Sequence, residues 1–265
     1  NENAAVVQDV NRSDVEALVE EYYSKYQILL EGRDPEEFKK HVAVQAQIEI
    51  GFERFLEEKN YQAIVTHFGD LGALKQLPGL AVQRLMEKGY GFGGEGDWKV
   101  SAMTAILKAM GENGNGASAF MEDYTYHLVK GHQYSLGAHM LEVDPTIASD
   151  KPRVEVHPLG IGDKDDPARL VFTGAEGDGI DVTIADFRDG FRLISYPVDC
   201  RKPEAETPHL PVAKQLWTPK CGLKKGSTEW IKAGGEHHTV LSFTITQQQI
   251  VDLATMFGIE MVDIQ

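Results

Sequence analysis

The stretch MEDYTYHLVKGHQYSLGAHMLEV, residues 121–143, reads as two strands joined by a tight turn at Lys130-Gly131. With those two residues at the centre of the turn, Glu122 faces His139 directly and both side chains point to one side of the sheet. Directly opposed side chains hold their Cβ atoms about 4.5 to 5.5 Å apart, close enough for a carboxylate and an imidazole to share one ion. A slip of one residue would send the two to opposite faces. On spacing alone, a cross-strand Glu–His hydrogen bond on a wet surface explains the pair equally well.

From this hairpin to the C-terminus the apolar pattern has the period of a strand. Phe120–Val129, Gln133–Val143, Arg153–His157, Arg169–Phe172, Ile180–Ile184, Phe191–Val198 and Thr239–Thr246 all read as strands, divided by turns such as Asp178-Gly179. Closely spaced antiparallel strands predict a barrel or a sandwich. Gln247–Met256 reads as a late helix. Toward the N-terminus the period becomes helical. Ser13-Asp14-Val15-Glu16 has the form of a capping box and is followed by Val15, Leu18, Val19, Tyr22, Tyr26 and Leu29 at helical spacing. Asp34 with Pro35 opens a second helix, with Phe38, Val42, Ile48, Phe52 and Phe55 as its stripe and an end near Lys59. Ala63–Phe68 and Tyr90–Phe92 read as short strands, Pro78–Lys88 as a helix between them, and Asp97 as the cap of a helix ending near Met110. Strands alternating with helices predict a parallel sheet with helices on its faces. Gly111–Ser118 is the most linker-like segment.

The chain has 265 residues and 42% hydrophobic content, enough for one large domain or two modest ones. Its 41 acidic residues outweigh 26 basic ones for a net charge of −15, and no basic stripe is present to neutralise phosphates. Nucleic acid and anionic membrane are therefore poor partners. Charges break every apolar stretch short of a membrane span, and Asn1–Arg12 lacks a signal pattern, so the expectation is a cytoplasmic protein. The 2 cysteines, Cys200 and Cys221, form no CxxC pair and read as ordinary thiols of a reducing compartment.

Gly91-Phe92-Gly93-Gly94-Glu95-Gly96 matches GxGxxG between a strand and a helix. Glu95, however, would place a negative charge where a dinucleotide's pyrophosphate sits, and the expected acidic partner position falls in the linker. The match is read as false. What survives is a carboxylate on a loop after a strand, where a solvated glutamate is the bland alternative. Of His237 and His238, alternation puts His237 with Thr239, Leu241 and Phe243 on what reads as the core side, and His238 with Val240 and Ser242 on the other. Sequence order does not join His238 to Glu122. Glu95, Glu122, His139 and His238 together would form an oxygen-rich mixed set suited to Mn²⁺, Co²⁺ or Mg²⁺ rather than a closed zinc site.

Several runs resemble the L-arabinose isomerase family: FGDLGALKQLPGLAVQRLMEKGYGFGGEGDWK (68–99), FMEDYTYH (120–127), LGAHMLEVDPTIA (136–148), HPLGIGDKDDPARLVF (157–172), LPVAKQLW (210–217) and AGGEHHTVLSF (233–243). They occur in the family's order. The resemblance implies a partial Rossmann-like α/β domain over residues 1–116 and an antiparallel β-barrel domain over residues 117–265, without the family's N-terminal domain. It carries the metal ligands onto Glu95, Glu122, His139 and His238, with Mn²⁺ as the expected ion, and sugar contacts onto Phe68, Tyr124 and Ile161. Glu95 and Glu122 would also relay protons between two substrate carbons. The implied reaction interconverts L-arabinose with L-ribulose, and D-galactose with D-tagatose, in a trimer or hexamer. Two departures lie inside the motifs: Asp144 where a cysteine is common and Glu236 where a small residue is usual. Two rival readings are a sugar- or metal-binding module without turnover and a nicotinamide-dependent oxidoreductase.

Overall fold

A computed structural model describes residues 6–111, 116–203 and 207–265. The core of the expected linker, residues 112–115, thus lies outside the described residues. Helix α1 spans Arg12–Lys25 and α2 spans Pro35–Lys59. The capping box expected at Ser13 does not form, because α1 starts earlier. Asn11 holds the N-cap position without a side-chain bond, and its carbonyl takes the amides of Asp14 and Val15. For α2 the sequence signal is met: the Asp34 carboxylate accepts from the amides of Glu36 and Glu37, and Pro35 opens the helix where no amide partner is needed. Its stripe of Phe38, Val42, Ile48, Phe52 and Phe55 is buried.

Strands β2 (Ala63–Val65) and β3 (Gly91–Gly93) pair in parallel, with α3 (Gly79–Glu87) between them and α4 (Trp98–Met110) after them. The parallel sheet is smaller than the alternating pattern predicted. Two strands form it, because the segment expected to run on to Phe68 leaves the sheet after Val65. There the chain turns back on itself, with Asp70 N bonded to His67 O and Gly69 N to His67 Nδ1. A three-stranded sheet joins β1 (Gln27–Ile28) in parallel to β6 (Arg153–Val156), which pairs antiparallel with β7 (Ala168–Val171). Both β6 and β7 were expected among the closely spaced strands of the barrel. They sit outside it because Val154, Val156, Ala168 and Leu170 pack with Val42, Ala46 and Leu80 of the helical layer.

The barrel closes through β10 (Lys214–Pro219), β5 (His132–Ala138), β4 (Ser118–Val129), β11 (His238–Ser242), β8 (Gly177–Phe187) and β9 (Gly190–Arg201), and β9 returns to β10. Every one of these pairings is antiparallel. Closure removes exposed sheet edges. The stave that completes the ring, β10, carries no strong alternation and was not anticipated from sequence; nor were α5 (Leu223–Ala233), or β12 (Glu260–Asp263), which adds in parallel to β9. Helix α6 (Gln247–Phe257) begins with a capping box of Thr246 and Gln249.

Alternation along the staves sets two apolar faces. Ala119, Met121, Leu241, Ile194, Tyr196, Val198 and Trp217 form the inward set. Phe120, Val240, Val182, Ile180 and Leu193 form the outward set, packed against Phe92, Val100, Met103 and Leu107 of β3 and α4. Burying one such large side chain stabilises by roughly 1.5 to 3 kcal/mol, so this seam holds α4 firmly against the barrel wall. At the far end of α4 the fully buried Lys108 pairs with the fully buried Asp144.

Candidate functional site

The site forms where the β3–α4 loop meets the outer face of β4 and β11. Gly93 and Gly91 let β3 lie directly on α4: a Cβ on either would stand 2.2 Å from the carbonyl of Asp97 or Ser101. The glycines of the run therefore serve helix–strand packing. The loop after them is a tight turn, with Asp97 N bonded to Gly94 O and Gly96 N to Thr66 O. Glu95 takes a left-handed conformation at φ 55, a costly backbone for a residue with a Cβ and one that recurs at functional loops. Asp97 caps α4 by accepting from Val100 N, which places a carboxylate where a dinucleotide would seat its pyrophosphate.

On the barrel side, β4 and β11 pair with Glu122 directly opposite His238 and Phe120 opposite Val240. Sequence order had left Glu122 and His238 unconnected. The hairpin of β4 and β5 keeps the predicted register from Val129↔His132 up to Thr125↔Leu136, then shifts at a bulge so that Glu122 faces Ala138. His139 therefore does not stand opposite Glu122; it follows the end of β5, which stops at Ala138 rather than running on to Val143. The His237 expectation is also corrected. His237 precedes the strand with its side chain 60% exposed, while the His238 side chain is 6% exposed, because β11 begins at His238 and its outward face is covered by the β3–α4 layer.

His139 and His238 rings lie 5.6 Å apart by centroid, and the edge of Phe120 meets both, at 4.9 and 5.1 Å. Gly94 makes this approach possible, since a Cβ there would stand 2.8 Å from His139 Cε1. Each imidazole is held by a carboxylate on Nδ1: Glu142 Oε2 at 2.6 Å for His139, and Asp97 Oδ2 at 3.1 Å for His238. Glu142 Oε2 also accepts from Leu141 N at 2.9 Å. Such contacts fix ring orientation and leave Nε2 for another partner. His238 Nε2 is buried without a hydrogen-bond partner and stands 4.0 Å from Glu95 Oε2. Burial alone would depress the His139 imidazole, but the charge and hydrogen bond of Glu142, then the charges of Glu122 and Glu95, hold it above its ordinary value. Burial pushes Asp97 up, and the His238 hydrogen bond, the Val100 amide and Lys99 outweigh it, leaving the carboxyl below its ordinary value.

An orphaned imidazole nitrogen facing carboxylates has donor chemistry that suits a divalent cation, and Glu95, His237 and His238 place ligand atoms within 4.8 Å of one another. The structure thus sets Glu122 across the ladder from His238, His139 beside His238 and Glu95 facing it, while the ligand atoms it gathers most closely are those of Glu95, His237 and His238. Phe68, Tyr124 and Ile161 are less closely gathered. Phe68 stacks on His67 at 4.8 Å, Ile161 packs at the edge of the outer core, and Tyr124 is 44% exposed within the bulge. None of the three lines the 660 Å³ cavity beside the site, whose walls include Glu95, Asp97, Lys99, Asp123, Tyr126, Glu236 and His238.

Sequence reasoning did not assign Glu142, Asp123, Tyr126 or Lys99 to the site, and it read Asp97 only as a helix cap. Short spacing was the available signal: Glu142 follows His139 by one helical turn's worth of chain, and Asp97 is next but one to Glu95. The two departures within the motifs are both engaged. Glu236 Oε1 pairs with Lys99 Nζ at 3.3 Å, and Asp144 with Lys108.

The family profile described as L-arabinose isomerase C-terminal domain matches residues 117–260, and that described as L-arabinose isomerase central domain matches residues 1–113. An L-arabinose isomerase of Levilactobacillus brevis is 59% identical over 256 residues, covering 96% of this chain and 54% of its own length. That of Lactiplantibacillus plantarum is 58% identical over 256 residues, with 96% and 54% covered. The protein of the same name from Geobacillus stearothermophilus is 52% identical over 256 residues, with 97% and 51% covered. The chain spans about half the length of the curated relatives it matches.

Proposed function

Because the chain belongs to the L-arabinose isomerase family, we propose that Glu95, Glu122, His139 and His238 form the metal-assisted centre of an aldose–ketose isomerase acting on L-arabinose and, less well, on D-galactose. The observation that carries this reading is the pairing of Glu122 with His238 across β4 and β11, beside a second imidazole and the Glu95 turn. Mn²⁺ is the expected ion, with Co²⁺ and Mg²⁺ as alternatives. When bound, it polarises the substrate's neighbouring oxygens as a Lewis acid. His139 and His238 hold it through Nε2, with Glu142 and Asp97 keeping their Nδ1–H groups engaged.

Glu95 and Glu122 complete the ligand set and carry the proton chemistry. Isomerisation moves a proton between C1 and C2 by way of an enediol, and a positioned carboxylate that removes and returns it supplies about 10² to 10⁴ in rate. Glu95 stands on a turn of strained backbone with a partly exposed side chain, and Glu122 is held in the ladder at the edge of the bulge. Glu95 therefore reaches the cavity, and Glu122 stands beside the imidazoles, which remain buried. Phe68, Tyr124 and Ile161 are assigned by the same reading to the sugar's surroundings.

The reading extends to the rest of the molecule. The layer around β2 and β3 is taken as a partial Rossmann-like domain over residues 1–116, followed by the barrel domain over residues 117–265. Both cysteines are free, which fits a cytoplasmic setting, and a homo-oligomer, trimer or hexamer, is the expected assembly. No helix among the described residues is long and apolar enough to cross a membrane. The decisive assay follows ketulose formation from L-arabinose with and without Mn²⁺. Metal-dependent turnover supports the isomerase. Mn²⁺ and sugar binding with no turnover supports the second reading, a binding module.

A further inference from the structure

We propose that Asp123 and Tyr126 form a hydroxyl-reading subsite that seats the end of a neutral sugar remote from the metal ligands. The proposal rests on the isomerase reading of the same site. The bulge between Glu122 and Thr125 takes Asp123 out of the regular ladder, and bulges re-aim side chains in this way. Asp123 N donates to His237 O at 3.2 Å, which ties the residue to the loop that carries the histidine pair. The Tyr126 hydroxyl donates to Asp123 Oδ2, and both residues line the 660 Å³ cavity that also exposes Glu95 and His238. One cavity thus runs from Glu95 and His238 to this pair.

Its size lies within the range of about 300 to 1,000 Å³ typical of small-molecule sites. An ionised carboxylate can accept several hydrogen bonds, and a phenol that donates to it keeps its own lone pairs for another donor. Vicinal hydroxyls of a sugar are donors and acceptors at once, so they match such a pair. The cavity's charge selects further. Glu95, Asp97, Asp123 and Glu236 line it against Lys99, whose ammonium is already paired with Asp186 at 3.0 Å and Glu236 at 3.3 Å. A phosphorylated sugar would meet net negative charge there, and a neutral one would not.

The test is calorimetric titration of the full chain, its Asp123→Asn variant and its Tyr126→Phe variant with Mn²⁺ alone, then with L-arabinitol and ribitol 5-phosphate, each polyol with and without Mn²⁺. L-arabinitol has no carbonyl and so reports binding without reaction. The expected result is L-arabinitol affinity weakened about tenfold or more by Asp123→Asn and several-fold by Tyr126→Phe, the scale of a lost hydrogen bond to a charged group. Mn²⁺ affinity should stay within about threefold of the parent, and ribitol 5-phosphate should bind the parent at least about tenfold more weakly than L-arabinitol. Melting curves confirm folding, and Tyr126→Phe preserves the ring. L-arabinitol affinity unchanged in both variants, absent in the parent, or no better than that of the phosphate would overturn the subsite. Failure of the parent to bind Mn²⁺ would instead overturn the metal reading, while the metal-free L-arabinitol titration still decides the subsite.

Discussion

Glu122 of β4 and His238 of β11 are direct cross-strand partners in an antiparallel ladder, on the barrel face that also presents Phe120 and Val240 to α4. Their separation is set by the sheet, not by flexible chain, so a ligand shared between them meets donors that are already placed.

Mn²⁺ should raise the thermal stability of the chain. At about 100 times its dissociation constant, an ion bound only by the folded state adds ~2.7 kcal/mol. His238→Ala and His139→Ala should each abolish most of that gain, read as the shift in melting temperature with and without Mn²⁺. An undiminished shift in either variant would remove that histidine from the ligand set.

Glu122→Gln and Glu95→Gln should lose turnover far more completely than they lose Mn²⁺ binding, because an amide oxygen ligates weakly but cannot accept a proton. Steady-state rates at saturating Mn²⁺ should fall below about a tenth of the parent in each. Retention of a greater rate would assign proton transfer to another group.

Asp97 has two acceptor tasks: Oδ1 takes the Val100 amide and Oδ2 meets His238 Nδ1. Asp97→Asn keeps a competent helix cap but can present an amide N–H to His238, reversing the tautomer that leaves Nε2 free. Mn²⁺ affinity should drop about 10- to 100-fold while metal-free stability changes little. Asp97→Ala should add a loss of about 1 kcal/mol in stability from the missing cap. Equal Mn²⁺ affinity in parent and Asp97→Asn would show that the contact does not orient the ligand.

Asp181 lies fully buried inside the barrel with neither carboxyl oxygen hydrogen-bonded among the described residues, and burial pushes its carboxyl up to about 7. The folded state therefore holds this proton more tightly than the unfolded chain, whose carboxyl titrates near ~3.9. The resulting stability is full below the unfolded value and is lost as pH rises through about 7. Asp181→Asn, which cannot ionise, should gain in melting temperature relative to the parent between pH 5 and 8.5, the range chosen to bracket the folded value of about 7. A difference that stays flat across that range would show that Asp181 titrates normally.

Local chemistry was readable residue by residue. Asp34 and Asp97 cap helices because a carboxylate satisfies exposed amides within a few residues of itself, and the Lys130-Gly131 turn needs only a glycine at positive φ, observed at 86° for Gly131. The side-chain types of the site were equally visible, as Glu95, Glu122, His139 and His238 each stand in a recognisable run. Tertiary structure alone decided which of them meet. The bulge moved Glu122 from His139 to Ala138, and the β4–β11 pairing brought His238 to Glu122 from more than a hundred residues away in sequence. β10 closed the barrel without a strong pattern of its own, and β6 and β7 left for the helical layer despite one. Caps and turns depend on the free energy of a few adjacent residues, which a sequence states directly. Register, sheet partners and the Glu142 and Asp97 contacts depend on how whole faces pack, and a shift of one residue changes them without altering any local pattern.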